Sequence, residues 1–254
     1  MPTAQAILAD WGLDVGEAAF VSGDDQLTEM PLAEASRWID VAGAFGEDCV
    51  LLLDPERLDT SARLKVRRLG SPEPVRDLKL CLLKNNGGLT INVGGDDCRI
   101  LLGRHGHAFS GAVNIWGDSR LAVGDGATCN EARIILARSD VIIGPDCMLS
   151  DEIIIQSSDQ HDIIDLATGD IINRERPRSR IGRHVWIGRR TMLMPGVEIG
   201  SGAIIAAGAL VSGQVDPCVI CAGVPARVIR RGVSWTRQRE AIDAAEQAFF
   251  DSMR

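Results

Sequence analysis

Four histidines are the side chains best suited to proton transfer near neutral pH: His105, His107, His161 and His184. An imidazole, with an unperturbed pKa of about 6.5, can accept a proton in a transition state and release it afterwards. His161 has the richest surroundings. It lies in "IQSSDQHDIID", where Asp159, Asp162 and Asp165 could orient the ring and stabilise its charged form, Asp159 being the first candidate. Ser157 and Ser158 precede it. His105 and His107 form an H-x-H pair that would need a third ligand from another coil or subunit to hold a metal, and no metal is expected. His184, at a corner in "IGRHVW", is expected to be solvated.

The elements that must position these groups are first bounded by composition. The 254 residues are 45% hydrophobic and 24% charged, with 27 glycines, no tyrosine and 4% aromatics. A core with so few aromatics is filled by Ile, Leu, Val and Ala, which suits thin, repetitive β layers. A net charge of −8 argues against nucleic acid as a partner. No run approaches the ~18 apolar residues of a membrane span, and the first residues lack the basic region of a secretory leader. Seven scattered cysteines, including a lone C-x-x-C at Cys218 and Cys221, read as unpaired thiols of a cytoplasmic protein.

The decisive pattern starts at Ile181: "IGRHVW IGRRTM LMPGVE IGSGAI IAAGAL VSGQVD". Each hexad opens with an aliphatic residue (Ile181, Ile187, Leu193, Ile199, Ile205, Val211), and the fifth place holds Val185, Thr191, Val197, Ala203, Ala209 or Val215. A period of six fits neither a helix nor a simple strand. It fits a solenoid with three short sides per coil, each opening residue pointing inward. Upstream, Gly103, Gly124 and Gly144 recur at intervals of 21 and 20 residues, a looser form of the same coil.

Residues 90–231 resemble the hexapeptide-repeat acyltransferases, carried by "HVWIGRRTMLMPGVEIGSGAIIAAGALVSGQVDPCVICAGVPARVIR" and its "GVPARVI" ending. The resemblance implies an all-β fold, a left-handed parallel β-helix. Residues 89–231 are expected to form it, with a loop at 162–180. Residues 1–88 read as a small, mostly β N-terminal domain of unknown role. Residues 232–254 read as a C-terminal helix, capped by Ser234, with Trp235, Ile242, Phe249 and Met253 on one face.

Counting back by sixes from His161 gives Ile155, Leu149 and Ile143, so the histidine falls where an inward aliphatic residue is due. The combination of Asp159, His161, Asp165, Thr168, Gly169, Asn173 and Trp186 resembles the bacterial enzymes that acetylate hydroxyls of capsular or lipopolysaccharide sugars. That resemblance implies acetyl-CoA as cosubstrate, a sugar or polysaccharide acceptor, His161 as general base, and catalytic help from Trp186. It further implies CoA contacts at Trp186, Ala206, Ala207, Gly208, Ser212, Arg227 and Arg230, and a homotrimer with sites between subunits. Where many relatives have Thr-Lys, this chain has Ser212 and Gly213. Asn173, Arg174 and Arg176 are expected on the substrate, within an arginine-rich stretch from Arg174 to Arg190 that could meet CoA phosphates or an acidic polysaccharide. Acylation of an amine, or a solenoid scaffold without turnover, remain open alternatives.

Overall fold

The computed structural model of the chain describes residues 3–16, 20–22, 27–53 and 64–254; the rest of the 1–88 segment lies outside the described residues. From Asp140 onward each coil contributes one short strand to each of three parallel ladders. Face one stacks Asp140–Ile143, Arg178–Ile181, Glu198–Ile199 and Gln214–Val215. Face two stacks Met148–Leu149, Trp186–Ile187, Ile204–Ile205 and Val219–Ala222. Face three stacks Ile153–Gln156, Met192–Leu193 and Leu210–Val211. Every hexad-opening residue from Ile181 to Val211 is buried, as is every fifth-place residue. The period of six is the period of burial.

The corners are tight because successive coils lie a strand spacing apart. A Cβ on Gly144 would stand 2.6 Å from the carbonyl carbon of Gly182, one coil on, so glycine alone fits that close approach. Upstream, the turn between faces two and three disappears. The long strand Thr128–Ala137 pairs with Met148–Leu149 at its start and with Ile153–Gln156 further along.

The parallel ladders cross residue 88 without a break. Val50–Leu53 and Leu78–Lys84 continue face one, and Leu64–Arg68 and Leu89–Val93 continue face three. The hexad rhythm is obscured there because face one is apolar on both sides. Leu52, Cys81, Leu101, Ala122 and Ile142 point outward under α1 (Ala4–Asp10), packing with Ile7, Leu8 and Trp11 in a second core. At the other end the helix is shorter than expected: α2 spans Ala244–Ser252 and is capped by Asp243 in a box with Glu246. Ser234 instead donates to the Gly202 carbonyl at 3.0 Å, and the chain stays extended past Trp235. No helix among the described residues is long and apolar enough to cross a membrane.

The H-x-H pair is split by the coil. His107 is exposed, whereas His105 is buried and stacks on Phe109 with ring centroids 5.3 Å apart. Neither ring nitrogen of His105 has a hydrogen-bond partner of good geometry. Burial lowers its pKa to about 4, against the weaker upward pull of the Ala127 backbone and Asp125. The unfolded chain therefore binds this proton more readily than the folded one. Stability conferred by the neutral ring is full above about pH 6.5 and falls as pH drops toward 4, by about 3 kcal/mol in all. His105→Leu should remove that part of the acid sensitivity, seen as a flatter profile of urea-unfolding free energy between pH 7 and 4; an unchanged profile would contradict it.

Candidate active site

The hexad count ends at Ile155, and the next turn inward is taken by Ser157 and Ser158, both buried. Ser157 Oγ bonds the Ile135 carbonyl at 2.8 Å and lies 2.6 Å from Ser139 Oγ, which closes the coil without an aliphatic plug. The chain then leaves the solenoid. Gln160 takes a positive φ of 63°, and His161 turns outward, exposed. Its imidazole makes no hydrogen bond or ion pair within the described residues, so it is free to meet a ligand. The register break placed it there.

The excursion is tied at its base by Asn173. Its Nδ2 donates to Asp159 Oδ2 at 3.0 Å and to the His161 carbonyl at 2.9 Å, while its Oδ1 accepts from Ile163 N at 2.9 Å. Asn173 thus fixes the backbone on either side of the histidine. Asp159 faces Asn173, with no bond to the imidazole of the kind expected from the sequence. Further out, Ile164 and Ile171 form an antiparallel bridge, and Asp165 accepts from Ala167 N and Thr168 N to close the tip around Gly169. Ile163, Ile164, Leu166 and Ile172 are exposed on this excursion, Leu166 almost completely.

A cavity of about 320 Å³ opens at the base. His161, Asp159, Asp162, Asn173, Arg174 and Arg176 line it, with Asp118 and Arg138 from the preceding coils and Pro195 from the next. The structure therefore gathers the expected base and all three expected substrate residues. Asp118 and Arg138 escaped the sequence reading. They sit at coil corners with positive φ, two coils and one coil before His161 respectively, and only counting back by whole coils would have found them.

The arginine-rich stretch is mostly engaged internally, which corrects its expected role on an anionic partner. Arg176 donates to Asp140 Oδ1 at 2.6 Å and contacts Asp118 at 2.6 Å; Arg178 lies 3.6 Å from Asp140. Burial alone would lower the Arg176 pKa, but the bonds to Asp140 and Asp118 outweigh it and raise the value. Arg180 donates to the Val15 carbonyl, Arg189 to Asp151 and Arg190 to Glu152. Arg174 and Arg138 are the cavity's cations without an anionic partner among the described residues.

The residues expected on the cofactor lie elsewhere on the chain. Trp186 is exposed on face two, whereas His161 leaves the coil between faces three and one, and Trp186 does not line the His161 cavity. Ala206, Ala207 and Gly208 turn the corner between faces two and three. The amides of Ala206 and Gly208 are already committed, to the Cys221 and Arg189 carbonyls at 2.8 Å each. Ser212 is exposed two coils beyond His161 on the same corner. Arg227 and Arg230 are exposed on the antiparallel strand Arg227–Arg231 that ends face two.

His184 is buried rather than solvated, at 1% exposure. Its Nδ1 lies 2.6 Å from Asp146 Oδ2 and its Nε2 2.9 Å from the Trp235 carbonyl. Trp235 stacks on the imidazole at 4.2 Å and donates its Nε1–H back to the His184 carbonyl. Burial pushes the Asp146 carboxyl up, but bonds from His184 and Arg237 outweigh it and hold its pKa below the usual value. No local spacing signals this clamp, because its halves lie 51 residues apart. Trp186 stands at its edge, 6.3 Å from the Trp235 ring.

Residues 178–213 match the family described as bacterial transferase hexapeptide (six repeats). The match is confined to that stretch of the solenoid. The chain is 30% identical over 108 residues to a polysialic acid O-acetyltransferase of Escherichia coli O1:K1 / APEC, covering 42% of this chain and 35% of that protein. It is 50% identical over 50 residues to the galactoside O-acetyltransferase of Escherichia coli (strain K12), covering 20% and 25%. The matched stretches thus span about a third or less of these relatives' lengths. The fold of this chain is similar to the crystal structure of the polySia-specific acetyltransferase NeuO, with a TM-score of 0.73 at 24% identity, over 85% of this chain and 98% of that one.

Proposed function

We propose that the protein is an acetyl-CoA-dependent O-acetyltransferase that acetylates a sugar hydroxyl of a polysaccharide or its precursor. The observation that carries the reading is His161, unpaired and exposed at the mouth of a cavity, where the hexapeptide coil is interrupted. The imidazole takes the proton of the acceptor hydroxyl as its oxygen attacks the thioester carbonyl. The tetrahedral intermediate collapses with cleavage of the carbon–sulfur bond. The proton passes to the leaving sulfur, giving the acetyl ester and free CoA. No acyl-enzyme is required, which suits the burial of Ser157 and Ser158.

Asn173 holds the base in place, and Arg174 offers the acceptor a free cation. Since Trp186 and His161 lie on different faces, the reading requires them to come from neighbouring copies, as in a homotrimer with its sites between subunits. Trp186, Ala207, Ser212, Arg227 and Arg230 would then receive CoA. The free cysteines suit a reducing cytoplasm, where acetyl-CoA is at hand.

The test is release of free thiol from acetyl-CoA with sialic acid and galactoside acceptors, followed by mass spectrometry of the product. The expected result is acceptor-dependent release with a gain of one acetyl group. Release that is absent, or unchanged by any acceptor, would count against the activity.

A further inference from the structure

Beyond the His161 cavity a second one, of about 620 Å³, follows the same corner toward the N-terminal coils. The second adjoins the first along Asp118, Ala137, Arg138 and Gln160, which line both. Trp116 lies in its far part, at the end of Phe109–Trp116 on face three. Its neighbours across the ladder are small. Ala137 pairs with it on one side, and on the other its indole edge lies so close over Gly94 that any Cβ there would collide with Cδ1 and Nε1. Glycine lets the ring lie along the corner. The ring remains partly exposed, and its Nε1–H has no partner among the described residues.

From this we infer that Trp116 forms a second acceptor subsite that binds a sugar ring of an extended glycan, while His161 acts on a ring further along the same chain. The inference rests on the acetyl-transfer reading and adds to it that the acceptor is an oligosaccharide or polysaccharide chain. An indole face suits the apolar C–H face of a pyranose, and its N–H can donate to a ring substituent. Asp96 and Asp97 flank it. Asp96 accepts one bond from Arg76 N, and Asp97 pairs with Arg99 at 3.1 Å, so each carboxylate keeps lone pairs for sugar hydroxyls. Arg138, with no ion-pair partner among the described residues, stands on the shared wall at a φ of 48°. From the coil of Trp116 to the coil that ends at His161 is two strand spacings, roughly 10 Å, the span of about two sugar rings.

The test uses sialic acid and galactose oligomers, each from monosaccharide to long chain. For the series that the enzyme acetylates, KM should fall with chain length. Trp116→Ala should raise KM for the long chain about tenfold, with kcat, KM for acetyl-CoA and KM for the monosaccharide unchanged; Trp116→Phe should recover much of the loss. Calorimetry of the long chain on His161→Ala, with and without Trp116→Ala, reads the subsite without transfer. Binding there that depends on Trp116 supports the subsite even if no acceptor is acetylated. Equal effects of Trp116→Ala on long and short acceptors, no effect of that substitution, no preference for length, or no binding by either series would each overturn it.

Discussion

His161→Ala is expected to lower kcat for acetyl transfer about 10²–10⁴-fold while leaving the affinity for acetyl-CoA unchanged. The argument has two parts. The imidazole is exposed and makes no bond among the described residues, so its removal deletes no contact seen there; the Asn173 clasp holds the His161 backbone carbonyl and survives the substitution. The thermal midpoint should therefore stay where it is, and a fall in turnover reports chemistry alone. Losing a positioned base removes the route for the hydroxyl proton but not the site for either substrate. Asn173→Ala provides the contrast: it keeps the base but frees the loop on both sides, so turnover should fall by less than in His161→Ala. Turnover of His161→Ala within about threefold of wild type would rule out its role as base.

Arg176→Met is expected to destabilise the fold by about 3 kcal/mol, measured by urea unfolding at pH 7. Asp140 is only 1% exposed and sits at the start of its face-one strand, with Arg176 as its closest cation. Removing the guanidinium leaves a buried carboxylate with Arg178 at 3.6 Å as its remaining partner. That remaining cation places the effect at the low end of what breaking a buried pair costs. Adding Asp140→Asn to the same chain should recover a large part of the loss, because it removes the uncompensated charge. No recovery would mean that Arg176 acts by packing rather than by pairing. Activity should fall with stability, since Arg176 also walls the His161 cavity and joins the returning loop to the two coils before it.

These two residues differ in how far they could be read from the chain. His161 was legible because the solenoid makes burial a local, periodic property. Once the hexads from Ile181 to Val211 set the rhythm, counting back through Ile155, Leu149 and Ile143 marked the one place where an imidazole stood for an aliphatic residue. All of those aliphatic positions are buried, and the histidine is not. The role of Arg176 was not legible. Its acid lies 36 residues away, and the loop between coils means that no fixed spacing would reveal the pair. The same holds for Arg189 with Asp151 and Arg190 with Glu152, each 38 residues apart across the loop. A cluster of arginines in sequence looked like a free basic patch because their acids came from other coils.

By itself, the sequence determined the three-sided coil, the inward residues, the break at His161 and the loop that follows, because each depends on local spacing and on which side chains avoid water. The tertiary structure decided which coil neighbours meet. It extended the ladders upstream past residue 88, buried His184 under Trp235, put Trp186 and His161 on different faces, and set a second cavity, beside Trp116, against that of His161. The reason is that stacking in a β-helix brings together residues one coil apart, and coil length varies with every corner and loop. Period fixes orientation within a coil; only the stack fixes company between coils.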